Sequence, residues 1–362
     1  MASHTELGRH FSVPAPSFDL APERIDFGTI IVPAWLTAAY RDGRWSERRI
    51  GPVSDITLSP AALVLHYGQS VFEGLKAYRW QDGSIALFRP SENARRFARS
   101  AARMEMAAVD ENEFVEGIRS LVGLQREWIP ERPGSLYIRP ILIGTEPFLG
   151  VRASREFLYY VITLPSGGYF PPLPGKAGTS MLRAYVTTTA GRACPGGTGN
   201  IKASANYAVS LQAIEEAKAK GCGQVLFLDS RKQEYVEEMG GMNVFFVRNG
   251  RLVTPPLNDT ILPGVTRDSI LKLAPRLGYP VEETPLALAE LIDGIRDGSV
   301  TEGFACGTAA VVVGIHSLLL DSGTDVRIGE GECGPITLDI YEKLTGIQYG
   351  SLPDPFGWVV KV

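Results

Sequence analysis

The sequence predicts a mixed α/β protein of two domains, and three observations support this prediction. The chain has 362 residues, a length typical of about two domains. Short apolar runs typical of strands alternate with stretches in which apolar residues recur at helical spacing. Residues 170–178 (FPPLPGKAG) contain three prolines and two glycines, which favour neither helix nor strand. We therefore predict an N-terminal arm at 1–22, domains at 23–169 and 179–362, and a connecting loop at 170–178.

Strands and hairpins are predicted from turn residues and from β-branched and aromatic runs. Strand-like residues on both sides of Asp42-Gly43, and again on both sides of residues 81–83 (QDG), predict two hairpins. Residues 136–143 and 156–164 are rich in β-branched and aromatic side chains and predict two longer strands. In the second predicted domain, the same signals predict strands at 181–189, 224–229 and 243–247.

Helices are predicted from their starting and stopping residues. Ser59-Pro60 predicts a helix start, because serine can cap the first turn and proline fits within it. Asp110, followed three residues later by Glu113, has the spacing of a capping box before an apolar helical pattern. A long helix is predicted at 205–220, and another follows residues 264–266 (GVT).

Composition and charge exclude several classes of protein. Lys and Arg total 36 and Asp and Glu total 40, so a net charge of −4 argues against nucleic-acid or anionic-membrane partners. The longest apolar runs, residues 157–164 and 309–315, are too short to cross a bilayer. The first residues lack the apolar core of a secretory signal. The four cysteines and four histidines are scattered without metal-like spacing, so we expect a cytoplasmic protein with no metal site.

Lys202 is the first candidate for covalent chemistry. It lies in TGNIKASANYA, where no carboxylate stands within several residues. A lysine away from acids and partly desolvated has a lowered pKa, which favours Schiff-base formation with an aldehyde. Tyr207 follows five residues later and would place a phenol near the same site. The alternative is a surface lysine near the start of a helix.

Other segments have the residue types of an anion or cofactor site. Glu237-Glu238 precede two glycines, so a carboxylate there can hold a heterocyclic nitrogen protonated, although a tight turn explains the pattern equally well. Gly264-Val265-Thr266 before a helix and Gly307-Thr308 after a strand offer donors for a phosphate, and threonine is also a routine helix cap. Arg99 lies on an arginine-rich helix, most of whose arginines we expect to be solvated or paired.

Tyr137 and Arg139 alternate with apolar residues, so both lie on one face of a strand. A tyrosine beside an arginine can receive a carboxylate, and a polar outer face of the sheet is the alternative.

Five segments, taken in order, resemble one family. They are residues 66–79 (HYGQSVFEGLKAYR), 135–151 (SLYIRPILIGTEPFLGV), 196–207 (GGTGNIKASANY), 262–267 (LPGVTR) and 304–312 (FACGTAAVV). Together they resemble the branched-chain amino acid aminotransferases, which belong to the fold type IV pyridoxal-phosphate enzymes. The likeness extends from about Phe27 to the C-terminus.

The resemblance implies a fold, a cofactor and a reaction. The fold would be a small N-terminal α/β sandwich domain and a larger C-terminal pseudo-barrel α/β domain, with pyridoxal 5'-phosphate held between them in a homodimer. The reaction would be the reversible transfer of the amino group from L-leucine, L-isoleucine or L-valine to 2-oxoglutarate, giving the branched 2-oxo acid and L-glutamate.

The resemblance also implies roles for individual residues. Lys202 corresponds to the lysine that binds the cofactor aldehyde, Tyr207 to the partner of the phenolic oxygen, and Glu238, rather than Glu237, to the partner of the pyridine nitrogen. The phosphate-binding positions are Arg99, Val265, Thr266 and Thr308. The α-carboxylate pocket corresponds to Tyr67, Gly241 and Ala309. The substrate side-chain pocket corresponds to Phe27, Phe72, Tyr137, Arg139, Leu149 and Val151.

Some positions depart from those of the animal enzymes. Gly240 and Gly241 replace a glycine–threonine pair. Ala310 and Val313 replace a redox-sensitive CxxC, so we expect no thiol regulation.

Other functions remain as alternatives to branched-chain transamination. Within the same fold, a D-amino acid aminotransferase or an aminodeoxychorismate lyase is the alternative. From another class, a non-catalytic binder of phosphate or metabolite is the alternative.

Overall fold

A computed structural model describes residues 11–168 and 180–362. The predicted loop at 170–178 and the first ten residues of the predicted arm lie outside the described residues. The chain divides into two units. The first contains the described residues up to 168 together with Lys202–Ser204 and Ile347–Val362, and the second contains residues 180–201 and Ala205–Gly346. In the described part of the chain, no helix has both the length and the apolar character needed to cross a membrane.

The elements of the described residues are numbered in chain order. The strands are β1 Ala34–Arg41, β2 Arg44–Trp45, β3 Arg49–Pro52, β4 Ser70–Phe72, β5 Leu75–Arg79, β6 Ile85–Phe88, β7 Ser135–Gly144, β8 Phe157–Ser166, β9 Met181–Thr187, β10 Gln224–Leu228, β11 Val236–Met239, β12 Asn243–Arg248, β13 Arg251–Thr254, β14 Val281–Glu283, β15 Val300–Gly307, β16 Val311–Leu319, β17 Asp325–Arg327 and β18 Val359–Lys361. The α-helices are α1 Leu63–Tyr67, α2 Pro90–Arg103, α3 Glu111–Leu124, α4 Ala205–Ala208, α5 Leu211–Ala219, α6 Val265–Leu273, α7 Leu288–Arg296 and α8 Pro335–Gln348. Short 3₁₀ helices span Pro22–Arg24, Arg126–Trp128 and Ala274–Leu277.

The first unit is built on an antiparallel sheet in the order β18-β6-β5-β7-β8-β1-β2, with β3 on β1 and β4 on β7. Both predicted hairpins are confirmed: Asp42 and Gly43 have φ of 51° and 76° between β1 and β2, and Gly83 has φ of 76° between β5 and β6. Positive φ at both central residues matches the twist of paired strands. The predicted strands at 136–143 and 156–164 are confirmed as β7 and β8, which pair from Ser135 to Gly144.

The last residues of the chain belong to the first unit because they complete its sheet. Strand β18 pairs with β6, and Tyr349 Oη donates a 2.7 Å hydrogen bond to the Pro133 carbonyl. Gln348 accepts a 3.0 Å bond from Trp80 Nε1. The second predicted domain, 179–362, contains both this segment and Lys202–Ser204, whereas the contacts group them with the first unit. These pairings join residues far apart in sequence, which local patterns cannot predict.

Two predicted helix starts in the first unit have different outcomes. Asp110 Oδ1 accepts bonds of 2.9 and 3.0 Å from the amides of Asn112 and Glu113, which confirms Asp110 as the cap of α3. The prediction at Ser59-Pro60 is wrong, because α1 begins at Leu63. The Ser59 carbonyl and hydroxyl instead accept bonds from the amides of Ala62 and Ala61, which form a turn before the helix.

The second unit has a mixed sheet in the order β11-β10-β9-β16-β15-β12-β13-β14, with β17 on β16. Strand β9 is parallel to both β10 and β16, whereas β12, β15 and β16 pair antiparallel. The three predicted strands are confirmed as β9, β10 and β12. The core against this sheet is aliphatic and aromatic, and its fully buried members include Leu226, Val244, Phe246, Ala305 and Ile315.

The predicted helix at 205–220 is wrong in one respect, because it is two helices, α4 and α5. The backbone amide of Ser210 donates a hydrogen bond to the Tyr207 carbonyl, three residues back, and the buried Ser210 hydroxyl donates one to the Asn206 carbonyl. This tighter turn interrupts the α-helical ladder. The helix predicted after 264–266 is confirmed: α6 continues into a 3₁₀ turn and ends at Gly278, whose φ is 87°.

Candidate active site

Lys202 is held against β4 by backbone hydrogen bonds. Its carbonyl accepts a 3.1 Å bond from the amide of Phe72, and its amide donates a 3.0 Å bond to Ser100 Oγ. Two residues later, the amide of Ser204 donates a 3.1 Å bond to the Ser70 carbonyl. These bonds hold both ends of the short segment Lys202–Ser204 and thereby fix the backbone from which the lysine side chain extends.

The amine of Lys202 lies in apolar and charged surroundings, not on an open surface. Its Nζ is 4.7 Å from the centroid of the Phe72 ring. Burial, and then the positive charge of Arg96, lower the pKa of Lys202 to about 8, against the opposing effect of Glu73. Because an ordinary lysine has a pKa near 10.4, Lys202 is neutral in a much larger fraction at pH 7 than a solvated lysine. This geometry disagrees with the alternative of a solvated surface lysine.

A buried ion pair stands beside this amine. Arg96 Nε donates a 2.6 Å bond to Glu73 Oε1, and Arg96 Nη2 donates a 2.9 Å bond to Oε2. Asn93 Nδ2 donates a further 2.8 Å bond to Oε2. Burial alone raises the pKa of Glu73, but the charge and hydrogen bonds of Arg96, together with the charge of Lys202 and the hydrogen bond from Asn93, outweigh burial and hold the pKa below its ordinary value. The carboxylate is therefore ionised and bidentately paired.

The predicted phosphate residue Arg99 does not lie in this cluster. Its side chain is exposed on α2, whereas Arg96, three residues earlier, is buried. Sequence reasoning noted Arg96 only as one of several arginines on the helix. A signal was present, because Asn93, Phe97 and Ser100 share one face of the helix with Arg96 and are buried with it.

Four predicted side-chain-pocket residues lie together in the first unit. The rings of Phe27 and Tyr137 meet edge to face with centroids 4.9 Å apart. Arg139 Nη2 donates a 3.0 Å bond to Tyr137 Oη, and the Arg139 guanidinium lies 4.6 Å from the Phe72 ring centroid. A cation and a hydroxyl thus stand at the edge of an aromatic wall. Sequence reasoning did not identify Gly74, where a Cβ would overlap Tyr137 Oη and lie 2.9 Å from Tyr137 Cζ.

The remaining predicted pocket residues of the first unit are exposed. Tyr67 lies at the end of α1, and its hydroxyl donates to the Leu149 carbonyl. The Leu149 side chain is 60% exposed and that of Val151 is 88% exposed. The structure therefore does not bury these three side chains with the aromatic wall, and their predicted role in binding substrate stays a prediction.

Two adjacent buried carboxylates on β11 have different partners in the second unit. Glu238 Oε1 accepts a hydrogen bond from the Leu262 amide and lies 3.4 Å from Arg192 Nη2. Glu237 Oε1 accepts a bond from Thr260 Oγ1. Side chains of consecutive residues in a strand point to opposite faces of the sheet, so the two carboxylates lie in different surroundings. Arg192 is a further residue that the sequence did not single out.

Tyr207 and Gly241 are close to each other in the second unit. Tyr207 lies in the short helix α4, and Gly241 lies in the turn between β11 and β12. A Cβ on Gly241 would lie 3.2 Å from Tyr207 Cε1. A side chain larger than glycine at position 241 would therefore require the tyrosine ring to shift by a few tenths of an ångström.

The predicted phosphate positions of the second unit lie at a helix start and in a hairpin turn. Helix α6 begins at Val265 after an extended Gly264, and Thr266 is buried in its first turn. The first amides of a helix lack partners within it and favour an anion. Thr308 and Ala309 lie in the turn between β15 and β16, and Val311, the first residue of β16, has φ of 61°. Such a φ is strained for a β-branched residue, and strain of this kind clusters at functional sites.

The comparisons with known proteins agree in one family. The family model described as amino-transferase class IV matches residues 70–318. The chain is 46% identical over 341 residues to a probable branched-chain-amino-acid aminotransferase of Staphylococcus aureus (strain MRSA252), covering 94% of each chain. It is 43% identical over 343 residues to the branched-chain-amino-acid aminotransferase of Mycobacterium tuberculosis (strain H37Rv), covering 93% of this chain and 92% of that relative.

Solved structures give the same result. The branched-chain aminotransferase of the thermophilic archaeon Thermoproteus uzoniensis, solved with norvaline, superposes with a TM-score of 0.73 at 27% identity, covering 90% of this chain and 99% of that chain. The branched-chain amino acid aminotransferase of Thermobaculum terrenum in its PLP form has a TM-score of 0.71 at 26% identity, covering 90% of this chain and 97% of that chain. The expected α/β fold of type IV is thereby confirmed. On the strength of the matched motifs and of this likeness over nearly its whole length, the chain belongs to the class IV aminotransferases.

Proposed function

We propose that the chain is a pyridoxal-phosphate-dependent branched-chain-amino-acid aminotransferase. It transfers the amino group of L-leucine, L-isoleucine or L-valine to 2-oxoglutarate. The observation that carries the proposal is the Lys202 amine, which lies 4.7 Å from the Phe72 ring centroid and has a pKa of about 8. Relatives at 43–46% identity over most of the chain support the choice of substrates.

The residues present fit the cofactor. A largely neutral lysine amine can bind an aldehyde covalently, and the buried Glu238 carboxylate can hold a pyridine nitrogen protonated. Hydroxyl and amide donors at Thr266 and Thr308 suit a phosphate. When bound, pyridoxal 5'-phosphate supplies the electron sink that stabilises negative charge at the substrate Cα.

We place Arg96, rather than Arg99, among the residues that bind the phosphate of the cofactor. Arg96 is buried and its charge acts on Lys202, whereas Arg99 is exposed. A guanidinium held out of water interacts more strongly with an anion than a solvated one does. The remaining cofactor positions, Tyr207, Val265, Thr266 and Thr308, stay as proposed from the resemblance, as do Gly241 and Ala309 for the substrate carboxylate.

The chain's own residues would handle the proton. The Lys202 amine, in its neutral form, would accept at Nζ the proton that the substrate Cα loses and would give it back later in the reaction. The charges of Glu73 and Arg96 would adjust the proton affinity of the amine. Arg192 and the Leu262 amide hold the Glu238 carboxylate in a fixed orientation.

The wall formed by Phe27, Phe72, Tyr137 and Arg139 accounts for two kinds of substrate. The aromatic rings offer an apolar surface to the branched side chain of leucine. The guanidinium of Arg139 and the hydroxyl of Tyr137, 3.0 Å apart, offer donors to the side-chain carboxylate of glutamate. The edge of one pocket would thus accept both an isobutyl and a carboxyethyl group.

The half-reaction spectrum tests the proposal. The holoenzyme is mixed with L-leucine, L-isoleucine, L-valine and L-glutamate, and separately with D-alanine and aminodeoxychorismate. We expect loss of the cofactor's visible absorption with the four L-amino acids and little change with the other two. A response to D-alanine alone would indicate a D-amino acid aminotransferase, and a response to aminodeoxychorismate alone would indicate an aminodeoxychorismate lyase. A preparation without cofactor absorption, or without a borohydride-stable label on Lys202, would favour a non-catalytic binder.

We further propose a cytoplasmic homodimer. The exposed apolar side chains of Leu149 and Val151 are of the type that a second copy would cover. The cysteines form no disulfide within the described residues, as is usual in a reducing compartment. Light scattering would measure the mass in solution, and Val151→Glu is expected to weaken the dimer. A monomer at micromolar concentration would contradict the proposal.

A further inference from the structure

A cavity of about 340 Å³ lies in the second unit, apart from the residues assigned above to cofactor or substrate. Its lining is polar and includes Asp229, Arg231, Glu237, Asn258, Asp259 and Thr260. It collects residues from the end of β10, from β11 and from the loop after β13. Glu237 contributes to it from the strand that carries Glu238, but the two side chains have different partners.

Glu237 has a hydrogen-bonding capacity that its surroundings do not use. The residue is 5% exposed, and its Oε1 accepts a bond from Thr260 Oγ1. Its Oε2 is buried and has no hydrogen-bond partner among the described residues. Burial raises the pKa of Glu237, and the charges of Asp229 and Asp259 add to the rise. A buried carboxyl oxygen without a partner is costly, and a ligand that supplies a donor would remove that cost.

The charge of the lining selects a cation. The lining contains three acidic residues, Asp229, Glu237 and Asp259, and one arginine, Arg231. Arg192 is the other charged group acting on Glu237, and it is buried with bonds to the Gly199 and Thr260 carbonyls. An anion would be repelled by the excess of carboxylates, whereas a monocation would be attracted.

The lining also decides between kinds of cation. No group of three or more His, Cys, Asp or Glu side chains in the described ranges is arranged to hold a metal ion. A bare metal ion also donates no hydrogen bond, whereas an ammonium or guanidinium group presents N–H donors to a carboxylate oxygen. We propose that this cavity binds a small organic monocation, a guanidinium or primary ammonium group that donates a hydrogen bond to the Glu237 carboxylate. The inference does not rest on the proposed transaminase activity.

Calorimetry with two cations of equal charge tests the proposal. Methylguanidinium chloride and tetramethylammonium chloride are titrated into the purified holoenzyme at an ionic strength of about 20 mM, where screening is low. We expect saturable binding of methylguanidinium with a Kd on the order of 1 mM, and at least about tenfold weaker binding of tetramethylammonium, which has no N–H donor.

A matched pair of variants locates the site. Glu237→Gln keeps the shape but removes the charge, and we expect at least about tenfold weaker binding of methylguanidinium. Glu290→Gln makes the same charge change at an exposed position on α7 and should leave the affinity unchanged. No saturable heat, equal affinity for the two cations, or unchanged affinity in Glu237→Gln would overturn the proposal. If Glu237→Gln does not fold, the comparison of cations on the unmodified chain still decides it.

Discussion

Arg96 donates hydrogen bonds of 2.6 and 2.9 Å to the two oxygens of Glu73, and both buried charges act on the amine of Lys202. Arg96 lowers the pKa of Lys202 and Glu73 raises it, while burial lowers it most. The pair therefore adjusts the proton affinity of an amine to which neither member is covalently linked.

The pH dependence of covalent cofactor binding should follow the pKa of Lys202. With a pKa of about 8, the neutral fraction of the amine falls tenfold for each pH unit below that value. The rate at which the apo-protein binds pyridoxal 5'-phosphate should therefore rise up to about pH 8 and then level off. Lys76 has its pKa lowered by burial to about 8 as well, so borohydride trapping and peptide mapping must find the label on Lys202. A label on Lys76 would contradict the assignment.

Glu73→Gln should lower both stability and the pKa of Lys202. Removing one partner of a buried ion pair costs about 3–5 kcal/mol. The pKa of Glu73 is lower in the folded state than its ordinary value of 4.5. The ionised carboxylate therefore contributes fully to the free energy of unfolding above about pH 4.5, and this contribution is lost as the pH falls through the folded-state pKa. In urea unfolding, the free energy of unfolding of Glu73→Gln should therefore differ less from that of the unmodified chain in acid than at pH 7. Glu116→Gln on α3, whose carboxylate pairs with Arg119 at the surface, is the control and should change stability little.

Arg96→Lys should weaken binding of the cofactor through its phosphate, and Arg99→Lys should not. Lysine keeps the charge but loses the bidentate geometry that Arg96 uses toward Glu73. We expect at least about tenfold weaker binding of pyridoxal 5'-phosphate to Arg96→Lys. Binding of pyridoxal, which has no phosphate, should be much less affected. Equal losses for both ligands would show that Arg96 acts on folding rather than on the phosphate.

Gly74→Ala should disturb the aromatic wall formed by Phe27, Phe72, Tyr137 and Arg139. The added Cβ would overlap Tyr137 Oη and lie 2.9 Å from Cζ, so the ring must move, at a cost of about 1–3 kcal/mol. We expect the KM for L-leucine to rise about tenfold, because the displaced ring narrows the apolar surface. Gly51→Ala in β3 is the matched control, since nothing lies within 4 Å of its added Cβ. Similar kinetics for the two variants would refute the role of Tyr137.

Arg139→Ala should separate the two half-reactions. The glutamate half-reaction should lose about two orders of magnitude in kcat/KM, because the side-chain carboxylate loses a charged hydrogen-bond partner. The leucine half-reaction should change little, since the aromatic surface remains. Single-turnover spectra with each amino acid measure both. An equal loss for the two substrates would disprove the dual pocket.

Much of the fold could be predicted from local patterns. Alternating strands and the hairpins at Asp42-Gly43 and residues 81–83 depend on short-range backbone preferences, and the structure confirms them. The cap at Asp110 is also local. The helix break before Leu211 depends on a buried serine hydroxyl that turns back to the Asn206 carbonyl, and the periodicity of the sequence continues across it.

The site was predicted less completely. The resemblance led to Lys202 and to the aromatic wall, which the structure assembles around Phe72. The resemblance assigned the phosphate to Arg99, whereas the structure buries Arg96 instead. Both arginines lie on one helix, and only their angular position around it decides which of them is buried. Gly74 and Arg192 were not found, since their importance comes from close approach and from a carboxylate partner distant in sequence.

By itself, the sequence determined most of the secondary-structure pattern, the family and the position of the lysine proposed to bind the cofactor, because motif spacing and backbone preference act over a few residues. Only the tertiary structure decided which arginine is buried and how far the proton affinity of Lys202 shifts. It also decided that Glu237 lines a cavity and that one of its buried oxygens has no partner among the described residues. Those properties depend on dehydration and on charges brought together from distant segments, and no local pattern encodes them.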